Sequence, residues 1–324
     1  MKYGAQMILT LTPNPSIDAT LDIGQLERGA VVRATSARRE AGGKGINVAH
    51  CVHKAGHPTL AIAPCGADDP FELAVRGIGV AFTPVRIDGQ VRTNTALTEP
   101  DGTTTKVNER GPELAAADLD AIVATLEANA RDAQAIVLAG SLPPGAPDDF
   151  YVQLVRAARA ATGATIAVDT SDAPLVALGA HLGEGAPDVM KPNAFELAQL
   201  TNTDGETLEN SALSGDFSDV VGAARELIAR GAQELLVTLG GAGACLVTAD
   251  GAWGATPPPI EVRSTVGAGD SSLAGYVMAR VEGLDPAERL RRAVAYGSAA
   301  AALPGTGLPA PDALDLDHTE VFPI

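Results

Sequence analysis

From residue 115 to residue 239 short apolar runs alternate with stretches of helical composition. A helix to about 131 precedes AIVLA at 135–139, a helix over 148–162 precedes TIAVDT at 164–169, and DVMK at 187–190 is followed by helices over 193–200 and 217–230 and by ELLVTL at 234–239. Apolar strands separated by helices do not pair as hairpins. They run parallel, with helices covering both faces of the sheet. MILTLT at 7–12 and TLAIAP at 59–64 carry the pattern toward the N-terminus. The expected fold is α/β, a doubly wound, mostly parallel sheet flanked by helices, occupying 1–324 as a single domain. Ligands of such sheets bind at the carboxyl ends of the strands. GSLPPG at 140–145, KPNAFE at 191–196 and TLGG at 238–241 follow strands directly, so the polar and glycine-rich loops gather on one edge.

A second group of segments reads differently. Residues 19–39 alternate polar and apolar without helical period, and Val80 to Ile87, Arg92 to Thr98 and Thr103 to Asn108 read as further strands. The last two are joined through Asp101-Gly102, a hairpin signal. Together these segments predict a small second sheet, placed to act as a lid formed by about 19–39 and 91–110. Arg92, Lys106 and Arg110 are basic residues on it.

Two small-residue stretches lead into helices. In AGGKGINVA at 41–49 a glycine loop feeds a helix ending near Gly56. Gly42 and Gly43 let backbone touch a ligand, Asn47 can hydrogen-bond hydroxyls, and Lys44 can meet a phosphate as a point charge. The same residues also suit a packed loop–helix joint with Lys44 in water. The loop does not match Gly-x-x-x-x-Gly-Lys-Ser/Thr, and no Gly-x-Gly-x-x-Gly occurs in the chain, which speaks against a P-loop enzyme and a Rossmann dehydrogenase. In STVGAGDSSLAG at 264–275, Gly267 and Gly269 shape a turn into an apolar helix whose free N–H groups and dipole can hold a phosphoryl group in transit. Asp270, in the first turn, can take the proton from an attacking sugar hydroxyl. Its alternative is a capping acid in a packed helix start. His50, His53 and His57 with Cys51 do not make a metal site, because Gly56 ends the helix before His57 aligns and no fourth ligand is evident.

The formal net charge of −17 excludes the polyanions, nucleic acid and anionic membrane, as partners. It also repels an anionic substrate, so a phosphate-handling site must collect cations locally. Lys44 therefore stands out. Cys51, Cys65 and Cys245, odd in number and without a Cys-x-x-Cys pair, point to reduced thiols. MKYGAQMILTLTPN lacks a secretory pattern and no run approaches the roughly 20 apolar residues of a membrane span, so the expected location is cytoplasmic.

In this order the motifs resemble the ribokinase/PfkB family of carbohydrate kinases, from about Met7 to Leu303, and the fold expected is ribokinase-like with a β lid. Within the family the chain is most similar to the hexose-phosphate branch of 1-phosphofructokinases and tagatose-6-phosphate kinases, through TLTPNPSIDATL, GGKGINVA, RTNTAL at 92–97, NERGPEL at 108–114 and GSLPPG. The resemblance implies that Asp18, Gly42, Gly43, Asn47, Arg92 and Ser141 bind a sugar phosphate. It implies that Asp270 is the catalytic base and that Gly267, Ala268 and Gly269 form the anion hole. Lys191, Thr238, Gly240 and Gly243 would border ATP, with Asn193 and Glu196 positioning Mg²⁺ through an Asn-x-x-Glu motif, and the lid would mediate a homodimer. The implied reaction is ATP-dependent phosphorylation of a ketohexose phosphate, foremost fructose 1-phosphate, with Lys44 and Arg92 as cations for the phosphate it already carries. Tagatose 6-phosphate or fructose 6-phosphate as acceptor, and an inactive sugar or nucleotide sensor, stay open. Two departures touch the lid and specificity: the segment 66–80 is short, and Arg110 stands where a glycine is common.

Overall fold

The computed structural model describes residues 7–324; the opening MKYGAQ, part of the stretch without a secretory pattern, lies outside the described residues. β1 (Met7–Leu11) passes through Pro13-Asn14-Pro15 into β2 (Ser16–Asp22), and β3 (Ser36–Gly42) returns beside it and leads into α1 (Lys44–Lys54). β4 (Thr59–Cys65), α2 (Pro70–Gly77) and β5 (Ala81–Arg86) follow, then β6 (Arg92–Thr98) and β7 (Thr104–Asn108). The alternating region contains α3 (Ala116–Ala130), β8 (Ala133–Ala139), α4 (Phe150–Ala161), β9 (Thr165–Asp169), α5 (Asp172–Ala180), β10 (Val189–Met190), α6 (Ala194–Thr201), α7 (Gly205–Leu213), α8 (Ser218–Ala229) and β11 (Glu234–Thr238). β12 (Ala244–Thr248), β13 (Ala252–Thr256), α9 (Ala268–Val281), α10 (Pro286–Ala301) and β14 (Glu320–Pro323) complete the chain.

The main sheet has ten strands in the order β14-β13-β12-β11-β10-β9-β8-β1-β4-β5. From β5 to β11 all pairings are parallel, and β12, β13 and β14 add an antiparallel edge. Alternation along each strand feeds two cores. On β8, Ile136 and Leu138 face the core shared with α3 to α8, while Ala135, Val137 and Ala139 face that shared with α1, α9 and α10. Each fully buried Leu or Ile contributes roughly 1.5–3 kcal/mol, so the central strands are stabilised from both sides. With β1, β8, β9, β10 and β11 parallel, the residues that follow them share one edge.

The small sheet has the order β3-β2-β6-β7, with β2 and β6 parallel. Two sequence expectations need correction. Residues 80–87 belong to the main sheet, because Phe82 and Val85 are buried and β5 pairs with β4 in parallel. Of 19–39, only the ends are strand; 23–35 is irregular. Helices α5 and α7 and strand β14 have no counterpart in the sequence reading.

Candidate active site

α1 and α9 both begin at glycines with positive φ. Gly43 (φ 110°) leaves β3 so close to β1 that a Cβ would come within 2.8 Å of Thr12, and Gly267 (φ 79°) caps α9 in the left-handed region. Neither turn tolerates a larger residue without strain. The two helices pack against each other and bring Asn47 to Asp270, whose Oδ2 accepts from Asn47 Nδ2 at 2.8 Å. Asp270 is 8% exposed. Burial, and then the nearby charge of Asp169, push its carboxyl up to about 6, with the Asn47 hydrogen bond, Lys44 and Lys191 pulling the other way. At neutral pH it is an ionised acceptor with a proton affinity suited to general-base work. The backbone N–H groups of Gly269 and Asp270 find no acceptor among the described residues, so the start of α9 presents free donors beside the carboxylate.

Asp169, at the carboxyl end of β9, supplies the local electrostatics. Its buried carboxylate pairs with Lys44 Nζ at 2.8 Å and Lys191 Nζ at 3.1 Å. Burial opposes the charges of Lys44 and Asp169. The mutual attraction outweighs it, raising Lys44 and lowering Asp169. Lys191 also lies over the α9 turn, its Nζ 3.3 Å from where a Cβ on Gly269 would sit. Lys44, Lys191, Gly269 and Asp270 all line one cleft, an arrangement of two ammonium groups and two free amides that can receive a phosphoryl group.

This cleft, of about 930 Å³, runs from Asp270 to the turn after β11. Lys191, Asn193, Thr238, Gly240 and Gly243, expected to border the nucleotide, all line it, together with Glu196, Gly267, Ala268 and Gly269. Thr238 bridges to Asn193, joining the ends of β10 and β11. Asn193 and Glu196 form a reciprocal cap at the start of α6: Glu196 N–H donates to Asn193 Oδ1 at 2.8 Å and Asn193 N–H donates to Glu196 Oε2 at 2.9 Å. Glu196 Oε1 has no partner among the described residues. One spare carboxylate oxygen suits a hydrated Mg²⁺ shared with phosphates; a closed protein cage would need more, and no cluster of three or more His, Cys, Asp or Glu able to hold a metal occurs among the described residues. His57 pairs with Glu282.

The small sheet brings the polyol-compatible groups. Asp18 on β2 accepts from Ser16 Oγ at 2.8 Å and Asn94 Nδ2 at 3.1 Å and lies against Gly42. Arg92 on β6 donates to Asn14 O and Ser141 Oγ, both at 3.2 Å, and to Glu109 O at 3.3 Å. It has no carboxylate ion pair among the described residues; burial lowers its pKa, and the charge of Asp18 opposes that shift. Asn14 Oδ1, Asn94 Oδ1 and Arg92 Nε are buried without partners among the described residues, a set of orphaned acceptors and one cationic donor that hydroxyls and a phosphate would satisfy. Asp18 and Asn94 line a second cavity of about 620 Å³ that meets the cleft at Val262 and Thr265.

The two cations grouped by the sequence are therefore on different partners, Lys44 at Asp169 beside Asp270 and Arg92 at Asn14 and Ser141. Asp169, Asn14 and Asn94 were not singled out from the sequence as site residues. Asp169 carried a usable signal, a carboxylate closing an apolar strand on the edge where the loops gather.

Residues 11–313 match the pfkB family carbohydrate kinases. A 1-phosphofructokinase of Xanthomonas campestris pv. campestris is 38% identical over 287 residues, spanning 88% of this chain and 87% of the relative. A 1-phosphofructokinase of Haloferax volcanii is 38% identical over 308 residues, spanning 94% and 93%. Among solved structures, phosphofructokinase-2 from Escherichia coli in complex with potassium aligns with a TM-score of 0.85 at 31% identity, covering 94% of this chain and 96% of that one.

Proposed function

The chain belongs to the pfkB family of carbohydrate kinases, and from that premise we propose that it transfers the γ-phosphoryl group of ATP to the 6-hydroxyl of fructose 1-phosphate. As a family member it is a sugar kinase, a phosphotransferase with an alcohol acceptor and ATP as co-substrate. The observation that carries the reading to this chain's own residues is the buried Asp270 at the start of α9, hydrogen-bonded by Asn47 and flanked by the Lys44–Asp169–Lys191 group. The choice of fructose 1-phosphate rests on the relatives that carry that activity in their names.

In this reading Asp270 accepts the proton of the attacking hydroxyl while Asn47 keeps its second oxygen oriented. The amides of Gly269 and Asp270, in the turn Gly267-Ala268-Gly269, hold the charge on the transferred group, and Lys44 and Lys191 neutralise it. Asp18, Asn94, Gly42 and Gly43 orient the sugar hydroxyls, and Arg92 with Ser141 takes the phosphate the sugar already carries. Lys191, Asn193, Thr238, Gly240 and Gly243 border the nucleotide. Mg²⁺, when bound, supplies charge neutralisation between the nucleotide phosphates. Glu196 Oε1 and Asn193 would hold it through water. The exposed Lys106 and Val107 on β7, the outer strand of the small sheet, make that edge the candidate contact for a homodimer. Among the described residues no helix is long and apolar enough to cross a membrane, and the three buried free cysteines fit the proposed cytoplasmic location.

A coupled assay of ADP release across fructose 1-phosphate, fructose 6-phosphate, tagatose 6-phosphate and fructose tests the proposal. The expected result is the highest kcat/KM with fructose 1-phosphate. A higher value for either 6-phosphate would reassign the acceptor, and no turnover with any of the four would remove the kinase reading.

A further inference from the structure

α7 places a carboxylate inside the cleft that the catalytic arrangement does not use. The helix is fixed at its start by Asp204, which accepts from Thr207 N–H at 3.0 Å, and Leu208 and Ala212 anchor it in the core. Of its two acids, Glu206 is exposed and Glu209 lines the cleft. Glu209 lies over the backbone of the turn after β11: a Cβ on Gly240 would sit 2.8 Å from its Oε1. It has no hydrogen bond or ion pair among the described residues, although Lys44 and Lys191 line the same cleft. An unpaired carboxylate on a surface helix is ordinarily a solvated charge. This one faces a binding cleft instead.

Its chemistry restricts what it can meet there. An ionised carboxylate only accepts hydrogen bonds, and it repels phosphate. The phosphates belong with the cations Lys44 and Lys191 and the start of α9, which line the same cleft. Pro257, Pro258, Ile260 and Val262 give the cleft an apolar wall suited to the face of a base. Gly240 lies two residues beyond Thr238, which bridges to Asn193, so Glu209 stands just off the phosphate end. Between phosphates and base a nucleotide presents its ribose, whose vicinal hydroxyls are two donors matched to two carboxylate oxygens. Dinucleotide sites of other folds use an acidic residue on the ribose in the same way.

We propose that Glu209 accepts hydrogen bonds from the ribose 2′- and 3′-hydroxyls of the bound nucleotide and makes the enzyme selective for ribonucleotides. The proposal rests on the assignment of this cleft to ATP.

Calorimetric titration of ADP, 2′-deoxy-ADP, 3′-deoxy-ADP and IDP into the wild type, Glu209→Gln and Glu209→Ala tests it without turnover. The wild type is expected to bind ADP on the order of tenfold more tightly than either deoxy analogue, the loss from one hydrogen bond to a charged group. In Glu209→Ala the three adenine nucleotides should bind alike, on the order of tenfold more weakly than the wild type binds either deoxy analogue because both bonds are gone, and Glu209→Gln should fall between wild type and Glu209→Ala. Equal binding of ADP and both deoxy analogues by the wild type overturns the proposal, as does a preference that survives in Glu209→Ala. So does tighter ADP binding by Glu209→Ala, which would mark Glu209 as merely repulsive. If Glu209→Ala instead loses a preference for ADP over IDP, which lacks the exocyclic amine, the carboxylate reads the base and the ribose assignment is wrong. Wild type that binds no nucleotide at all would count against the ATP cleft itself, an outcome distinct from binding without ribose selectivity.

Discussion

Asn47 on α1 donates its side-chain amide to Asp270 on α9 at 2.8 Å, across 223 residues of sequence. The bond stabilises the ionised carboxylate against burial and the charge of Asp169, which together push it up to about 6. If Asp270 is the base, kcat should rise with pH through about 6 and level off above it, since only the ionised form accepts a proton. Removing the donor removes a hydrogen bond that favours the ionised carboxylate. Asn47→Ala should therefore move this acid limb upward by about one pH unit, the equivalent of one modest hydrogen bond. A pH–rate profile at saturating substrate checks it; an unmoved limb would mean that another group titrates.

Asp270→Asn should separate activity from stability. With no base, kcat should fall by at least about 100-fold with nucleotide affinity little changed. The stability effect has the opposite sign. The folded pKa of about 6 lies above the unfolded value of 3.8, so the native state binds the extra proton and wild-type stability declines as pH rises between those values. Above pH 6 the full penalty applies, on the order of 3 kcal/mol, whereas below pH 4 it vanishes. The variant should melt several degrees higher than wild type at pH 8 and show little difference at pH 4. Thermal melts at the two pH values decide it.

Why some of this was legible in the sequence follows from the range of the forces involved. Strand and helix positions in 133–238 depend on local apolar periodicity, and so do the loops gathered on the carboxyl edge. Gly43 and Gly267 announce their turns because no other residue tolerates those backbone angles. Asp169 was missed because its meaning comes from Lys44 and Lys191, which are 125 positions upstream and 22 downstream and meet it only through strand order. β5 was misassigned for a similar reason. An alternating edge strand looks the same in a lid and in a core sheet until its partner, β4, is known. Glu209 lies on α7, and TDGETLENSAL has too little apolar periodicity to reveal the helix.

Glu196→Gln tests the Mg²⁺ assignment with an internal control. Glutamine can still accept from Asn193 N–H, so the reciprocal cap of α6 should persist and the melting temperature should stay within a degree or two. What is lost is the negative charge on the free oxygen. The expected result is a several-fold higher Mg²⁺ requirement and a lower kcat at unaltered sugar KM. A change confined to the sugar KM would place Glu196 in the wrong half of the site.

The separation of Lys44 from Arg92 gives two variants with different signatures. Lys44 is held by Asp169 at 2.8 Å beside Asp270, where the phosphoryl group in transit would sit, so it should act on every acceptor alike. Arg92 is held by Asn14 O and Ser141 Oγ and has no carboxylate ion pair among the described residues, so it should act only on a sugar that carries its own phosphate. A hydrogen bond to a charged group is worth about 1.5–3 kcal/mol, or roughly 10-fold to 150-fold in kcat/KM. Lys44→Ala should lose that much with fructose 1-phosphate and with free fructose, mainly in kcat. Arg92→Ala should lose it with fructose 1-phosphate, mainly in KM, and change little with free fructose. The sequence alone suggests phosphate-selective loss for both. Should Lys44→Ala spare free fructose, Lys44 would leave Asp169 to meet the sugar's phosphate, and the electrostatic role given to the Lys44–Asp169–Lys191 group would fall to Lys191 alone.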